Sequence, residues 1–252
     1  MLKRIIPCLD IKNNKVVKGV QFADLETVGD PIKIAEKYSE EGADELAMLN
    51  ISSAVTERKF LNLVEKITKT VRIPLIVGGR MEDSSDIEKL LNGGVNKVCI
   101  YTSFVKTPEF LIKSINQLQK KIDAKRIIAG LDIKRKRKSW IVIGKDFRET
   151  SLDAIKWARK LKRNGFKEIL FTSMDRNGTN KGYDVEFSNK LKENLSLPII
   201  AAGGAGRKED FLRIFKKGKA DAALAASIFH FGKLSILELK KYLYKNSIDV
   251  KL

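Results

Sequence analysis

Short apolar runs alternate along the chain with longer segments in which apolar positions recur at helical spacing. The runs cover 4–11, 45–51, 73–78, 96–101, 126–133, 168–174, 197–202 and 220–226. A segment of helical period follows each, at about 31–41, 58–71, 83–92, 107–120, 151–164, 185–195, 207–217 and 235–245. Continuous apolar runs of this length read as strands buried on both faces, and the amphipathic segments as helices covering them. Capping residues mark helix starts, as at Asp30 before Pro31 and Ser151 before Leu152. Eight βα units in series predict a parallel sheet closed on itself, a single (β/α)8 TIM barrel over residues 1–252. An open doubly wound sheet is the second reading.

The two halves of the chain resemble each other, which the open sheet does not explain. Leu9-Asp10-Ile11-Lys12 matches Leu131-Asp132-Ile133-Lys134, and Gly42-Ala43-Asp44-Glu45 matches Gly165-Phe166-Lys167-Glu168. Pro74 and the Gly78-Gly79 pair match Pro198 and Gly203-Gly204, at an offset of 122 to 125 residues throughout. Half-barrels of about 1–122 and 123–252 packed face to face would produce this offset. A feature at a strand end in one half then recurs across the barrel axis.

Composition narrows the partners. Lys and Arg total 49 against 31 acidic residues, a net charge of +18 that favours an anionic ligand. The lysines are spread along the chain, the densest run (134–138) reads as a solvated hairpin, and no RNA-binding signature or basic arm accompanies it. A phosphorylated metabolite is therefore favoured and nucleic acid is not. Cys8 and Cys99 lie in apolar runs outside any CxxC pair and read as reduced core residues. No apolar stretch approaches the roughly 18 residues of a membrane span and no leader segment is evident, so the chain is expected in the cytoplasm, away from membranes. No metal site or cofactor is expected, since the clustered ligands that would announce one are missing. The single histidine, His230, reads as structural.

Active sites of this fold lie at the C-terminal ends of the strands. Asp10 and Asp132 stand there, half a barrel apart, and can divide the giving and taking of a proton if their surroundings set them apart. One such aspartate would be read as a loop cap or the partner of a lysine such as Lys18; two in matching contexts are read as catalytic. Glycines at strand ends let backbone N–H groups approach an anion. Gly203, Gly204, Ala226 and Ser227 would form one phosphate cup, and Gly79, Arg80 and Thr102 a second across the barrel. Two cups imply a long substrate with a phosphate at each end. Asn177 and Gly178, in the polar loop 172–179, would touch it, and Lys18 joins the substrate-binding set.

These motifs, in order and over essentially the whole chain, resemble the cyclase subunit of imidazole glycerol phosphate synthase of histidine biosynthesis. The resemblance is carried by Arg4-Ile5-Ile6-Pro7-Cys8-Leu9-Asp10, Val17-Lys18-Gly19, Gly29-Asp30-Pro31, Ser173-Met174-Asp175-Arg176-Asn177-Gly178-Thr179, Gly182-Tyr183-Asp184, the glycines at 203, 204 and 206, and the stretch 222–231. It implies that ammonia from a glutaminase subunit, docked on the N-terminal face, crosses the barrel to a bis-phosphorylated aminoimidazole ribulotide. The products would be imidazole glycerol phosphate and an aminoimidazole carboxamide ribotide. It also implies Asp10 and Asp132 as the acid–base pair, and Arg4, Glu45, Lys97 and Glu168 as a charged gate at the channel mouth. From the residues alone those four read as two structural salt bridges.

The chain departs from the family's pattern at Asn50, Arg80, Asn96, Tyr101, 123–125, Asn177 and Ala202. Asn50, Asn96 and Asn177 stand where the family has aspartate, and Tyr101 where it has asparagine. Two other functions stay open at this point. One is a relative that delivers ammonia to another acceptor, such as a sugar in surface-polysaccharide synthesis. The other is a barrel that only scaffolds a glutaminase.

Overall fold

The computed structural model describes residues 2–20, 23–103, 107–118 and 121–252. The first half runs β1 (Arg4–Lys12), β2 (Lys15–Val20), β3 (Ala23–Gly29), α1 (Pro31–Glu40), β4 (Leu46–Ala54), α2 (Arg58–Thr70), β5 (Leu75–Arg80), α3 (Ser84–Asn92), β6 (Lys97–Tyr101) and α4 (Glu109–Leu118). The second runs β7 (Ile127–Lys136), β8 (Ser139–Ile143), β9 (Glu149–Asp153), α5 (Ala154–Arg163), β10 (Ile169–Ser173), α6 (Val185–Asn194), β11 (Ile199–Ala202), α7 (Lys208–Lys216), β12 (Ala222–Ala225), α8 (Ser227–His230) and α9 (Ile236–Lys245). The last residues of the helix expected over 107–120 lie outside the described residues.

Eight strands pair in parallel in the order β1-β4-β5-β6-β7-β10-β11-β12, and β12 returns to β1. This is the closed barrel. Four further strands, which the hydrophobic pattern did not announce, pair antiparallel: β2 and β3 beside β1, β8 and β9 beside β7. Each half thus opens with the same extension of its first strand. The turns fit the chemistry of short hairpins, which need left-handed backbone. Asn13 and Asn14 take φ of 50° and 57°, and Arg137 takes 55°. The basic run 134–138 forms the second of these hairpins, as expected.

Helix starts follow from local hydrogen bonding. Asp30 accepts from the Ile32 and Lys33 N–H groups with Pro31 at the first helical position. Ser151 does not cap a helix. It lies on β9, and Asp153 caps α5 by accepting from the Lys156 N–H. The strand extension displaced the start by two residues. The half-chain repeat reappears in these devices. Asp86 accepts from the Glu82 N–H at 2.9 Å ahead of α3, and Asp210 accepts from the Gly206 N–H at 2.9 Å ahead of α7. At the opposite end, Asn96 Oδ1 accepts from the Leu75 N–H (2.8 Å) where Asp221 accepts from the Ile199 N–H (3.0 Å). Asn96 therefore does the backbone work of its acidic counterpart without the charge.

Two apolar cores result. The larger lies between barrel and helices. The smaller fills the barrel interior with Ile6, Cys8, Ala47, Leu49, Ile76, Cys99, Tyr101, Ile128, Leu170, Ile200, Ala202, Ala222 and Leu224. The seam between the ends of the chain is sealed by a buried lysine. Lys240 of α9 donates to the Gly42 carbonyl (2.6 Å) and to Asp44 (2.7 Å), whose second oxygen accepts from the Ile5 N–H of β1.

Inside the barrel, large and small residues fit each other closely. A Cβ at Gly130 would lie 2.7 Å from Tyr101 Cγ, and one at Gly78 would lie 3.3 Å from Tyr101 Cε2. Gly130→Ala is therefore expected to destabilise the fold by roughly 1–3 kcal/mol through overpacking. In urea unfolding, adding Tyr101→Ala should recover part of that loss; strictly additive effects would show that the ring and Gly130 are not in conflict.

Candidate active site

The C-terminal rim of the barrel surrounds a cleft open to solvent. Asp10 and Asp132 both line it, together with Lys18, Tyr101, Phe147, Thr172, Asn177, Gly178, Gly203, Gly204, Ala226 and Ser227. Strand parity explains the two carboxylates. Side chains of β1 alternate, so Arg4, Ile6, Cys8 and Asp10 share the inward face; on β7 Ile128, Gly130 and Asp132 do the same.

The two carboxylates are 3% exposed but differently partnered. Asp10 accepts from Lys18 Nζ at 2.6 Å, a buried ion pair reaching across the β1–β2 hairpin. Burial opposes the Lys18 charge, and Asp10 outweighs it, so the ammonium titrates above the usual lysine range. Asp132 meets hydroxyls instead: Ser103 Oγ donates to Oδ2, and Thr172 also hydrogen-bonds the carboxyl. Burial raises Asp132 from 3.8 to about 6, against the pull of those hydroxyls. One carboxylate faces a cation and the other buried hydroxyls, two different settings of the kind that acid–base work requires.

Beside them is a glycine cup. Gly203 and Gly204 hold φ of 93° and 102°, and a Cβ at Gly204 would lie 2.3 Å from the Gly182 carbonyl oxygen. Side chains are thus excluded there, and the two glycines line the cleft next to Ala226 and Ser227 after β12. Gly79, Arg80 and Thr102 are not brought into this cleft. Arg80 stands half-exposed at the end of β5, 3.9 Å from Asp146. Thr102 is fully buried, and its hydroxyl accepts from the Asp132 N–H at 3.2 Å. Tyr101 does not sit at a phosphate cup; its ring turns inward among Cys99, Gly130 and Gly78. His230 packs half-buried against Tyr38, 2.7 Å from its hydroxyl, and desolvation lowers it to about 4.

At the N-terminal end of the same interior, Arg4, Glu45, Lys97 and Glu168 form one closed ring. Arg4 bonds Glu45 at 2.6 Å and Glu168 at 2.5 Å, and Lys97 bonds both glutamates at 3.0 Å. The two salt bridges read from the residues are therefore one alternating square.

Over residues 4–235 the chain matches the family model for histidine biosynthesis proteins. It is 46% identical to imidazole glycerol phosphate synthase subunit HisF of Flavobacterium johnsoniae, with 100% of each chain covered. It is 44% identical to the subunit HisF of Dehalococcoides mccartyi over 99% of this chain and 98% of that one, and 42% identical to that of Saccharolobus solfataricus over 99% of both. The chain belongs to the HisF family, the cyclase subunit of imidazole glycerol phosphate synthase. As a family member it is an enzyme of histidine biosynthesis and one subunit of a larger enzyme. Among the described residues no helix is long and apolar enough to cross a membrane.

Two groups at the site escaped the reading of the sequence as functional residues. Ser103 holds Asp132, and Phe147 overhangs the cleft from the β8–β9 connection. Both lie in connections whose path periodicity does not report. Asn50 points away from the cleft into a turn, accepting from the Ser52 N–H and donating to the Ala54 carbonyl.

Because the folded state holds the Asp132 proton more tightly than the unfolded chain does, this group's stabilisation is complete below its ordinary value. It is lost as pH rises through about 6. At neutral pH the buried charge costs on the order of 3 kcal/mol. Asp132→Asn should therefore unfold at higher temperature than the parent at pH 7, with the gap closing toward pH 4. A gap that ignores pH would place Asp132 in wetter surroundings.

Proposed function

We propose that this chain closes a bis-phosphorylated aminoimidazole ribulotide on ammonia, giving imidazole glycerol phosphate and an aminoimidazole carboxamide ribotide, with Asp10 and Asp132 moving the protons. The observation that carries this reading is the pair of buried carboxylates on opposite strands of one cleft, one ion-paired and one held by hydroxyls. Attack by ammonia requires loss of a proton from nitrogen and gain of one by a departing oxygen. An ion-paired carboxylate suits the first role, and a carboxyl titrating near neutrality can serve either.

We assign one substrate phosphate to the amides of Gly203 and Gly204 with Ala226 and Ser227, and the middle of the molecule to Lys18, Asn177 and Gly178. The second phosphate is assigned to the rim at Gly79 and Arg80, where the guanidinium can make a bidentate contact. The Thr102 hydroxyl serves Asp132 instead.

Ammonia is taken to arrive from a glutaminase subunit docked at the N-terminal face, through the Arg4–Glu45–Lys97–Glu168 ring. The ring's position supports this, as does the apolar lining above it, which suits neutral ammonia and not ammonium. We read the chain as one domain of two half-barrels, about 1–122 and 123–252, on the strength of the paired caps. The buried free thiols of Cys8 and Cys99 suit the reducing cytoplasm.

Turnover of the bis-phosphorylated ribulotide with ammonium salt at alkaline pH, using this chain alone, tests the activity. Asp10→Asn should abolish it while substrate binding persists, and full turnover by that variant would remove Asp10 from the chemistry. Lys97→Ala should reduce glutamine-driven turnover with the partner subunit about tenfold more than ammonium-driven turnover; equal losses would rule out the ring as an inlet.

A further inference from the structure

Phe147 is a large apolar side chain that the fold keeps in the open. It is 41% exposed, yet it lines the same cleft as Asp10 and Asp132. Its backbone is held in the left-handed region, with φ of 60°, directly after Asp146 at 53°. Two consecutive non-glycine residues in that region, one of them aromatic, are an unfavourable choice unless the surroundings impose it.

Here they do. The connection between β8 and β9 is closed by the Gly144 N–H donating to the Arg148 carbonyl (2.8 Å), and the Arg148 N–H donates to the Lys145 carbonyl (3.2 Å). The Asp146 N–H donates to the Ser103 carbonyl at 3.2 Å. Ser103 is also the residue whose hydroxyl holds Asp132. The loop that carries Phe147 and the carboxylate that works below it are thus tied to one residue.

Phe147 and Asp132 line one cleft with the glycine cup, which lies at the ends of β11 and β12. A molecule with a phosphate in that cup and its reacting part at Asp132 would share the cleft with the ring. Planar heterocycles stack on such rings, and each stacked base contributes enough that alanine substitution is felt as a clear loss of affinity.

We propose that Phe147 is a specificity-determining residue whose ring stacks on the planar heterocycle of the substrate while a phosphate sits in the glycine cup. This rests on reading the cleft as the site of a phosphorylated aminoimidazole, and it adds the contact that selects the heterocycle.

Ammonium-driven turnover and thermal unfolding of Phe147→Ala, Phe147→Trp and Phe147→Asn test it. Alanine and asparagine should raise KM on the order of tenfold with a smaller change in kcat, and tryptophan should keep KM near the parent's. Phe147→Asn should unfold no earlier than the parent, because asparagine accepts left-handed backbone. Inhibition by inorganic phosphate, which fills the cup alone, should not move in any variant. An unmoved KM in Phe147→Ala overturns the proposal, as does a phosphate inhibition constant that shifts in step with KM. Calorimetric titration with aminoimidazole carboxamide ribotide needs no turnover and separates this from the wider reading. A parent chain that binds the ribotide tenfold better than Phe147→Ala but never turns over refutes the cyclisation and keeps the stack. Equal binding by both, in a parent that turns over, keeps the cyclisation and refutes the stack.

Discussion

Closing eight parallel strands into a ring leaves an interior just wide enough for side chains. Every inward position must then be filled to size. Glycine at 130 and 78 makes room for the Tyr101 ring, while Ile6, Ile76, Ile128 and Ile200 fill the levels below. The same closure gathers all strand C-termini on one rim. Asp10 and Asp132, far apart along the chain, share a cleft for that reason and no other.

Charges occupy both ends of this narrow axis, and the protein treats them differently. At the base, two cations and two glutamates neutralise one another in a square, with Glu45 Oε2 alone of the four glutamate oxygens left without a hydrogen bond among the described residues. At the rim, Asp10 is neutralised by Lys18. Among the described residues Asp132 is given hydroxyls and no cation as hydrogen-bond partners. Burial holds a proton on that carboxyl more tightly than water would, which is the pattern expected of the proton carrier proposed above.

Much of this was legible beforehand. Eight apolar runs, spaced by helical segments and repeated at half the chain, sufficed for the barrel and for placing Asp10 opposite Asp132. The four antiparallel strands were not legible, because β2 and β3 mix polar with apolar residues and sit where a loop is expected. The direction of Tyr101 follows from parity with Lys97 and Cys99, once the strand's first residue is known. The roles of Ser103 and Phe147 depend on how two connections cross in space, and no periodicity encodes that. The second phosphate cup illustrates the limit of symmetry. The glycines recur, but Tyr101 and a buried Thr102 change what the first half presents to the cleft.

The buried Lys240 has a bearing on how the protein is made. Its partner Asp44 also holds the first strand through the Ile5 N–H, so the opening βα unit is completed by a side chain almost two hundred positions downstream. During translation Asp44 leaves the ribosome long before that lysine exists. The nascent first half must wait with one Asp44 oxygen unmatched at its seam, and that oxygen is met when α9 emerges.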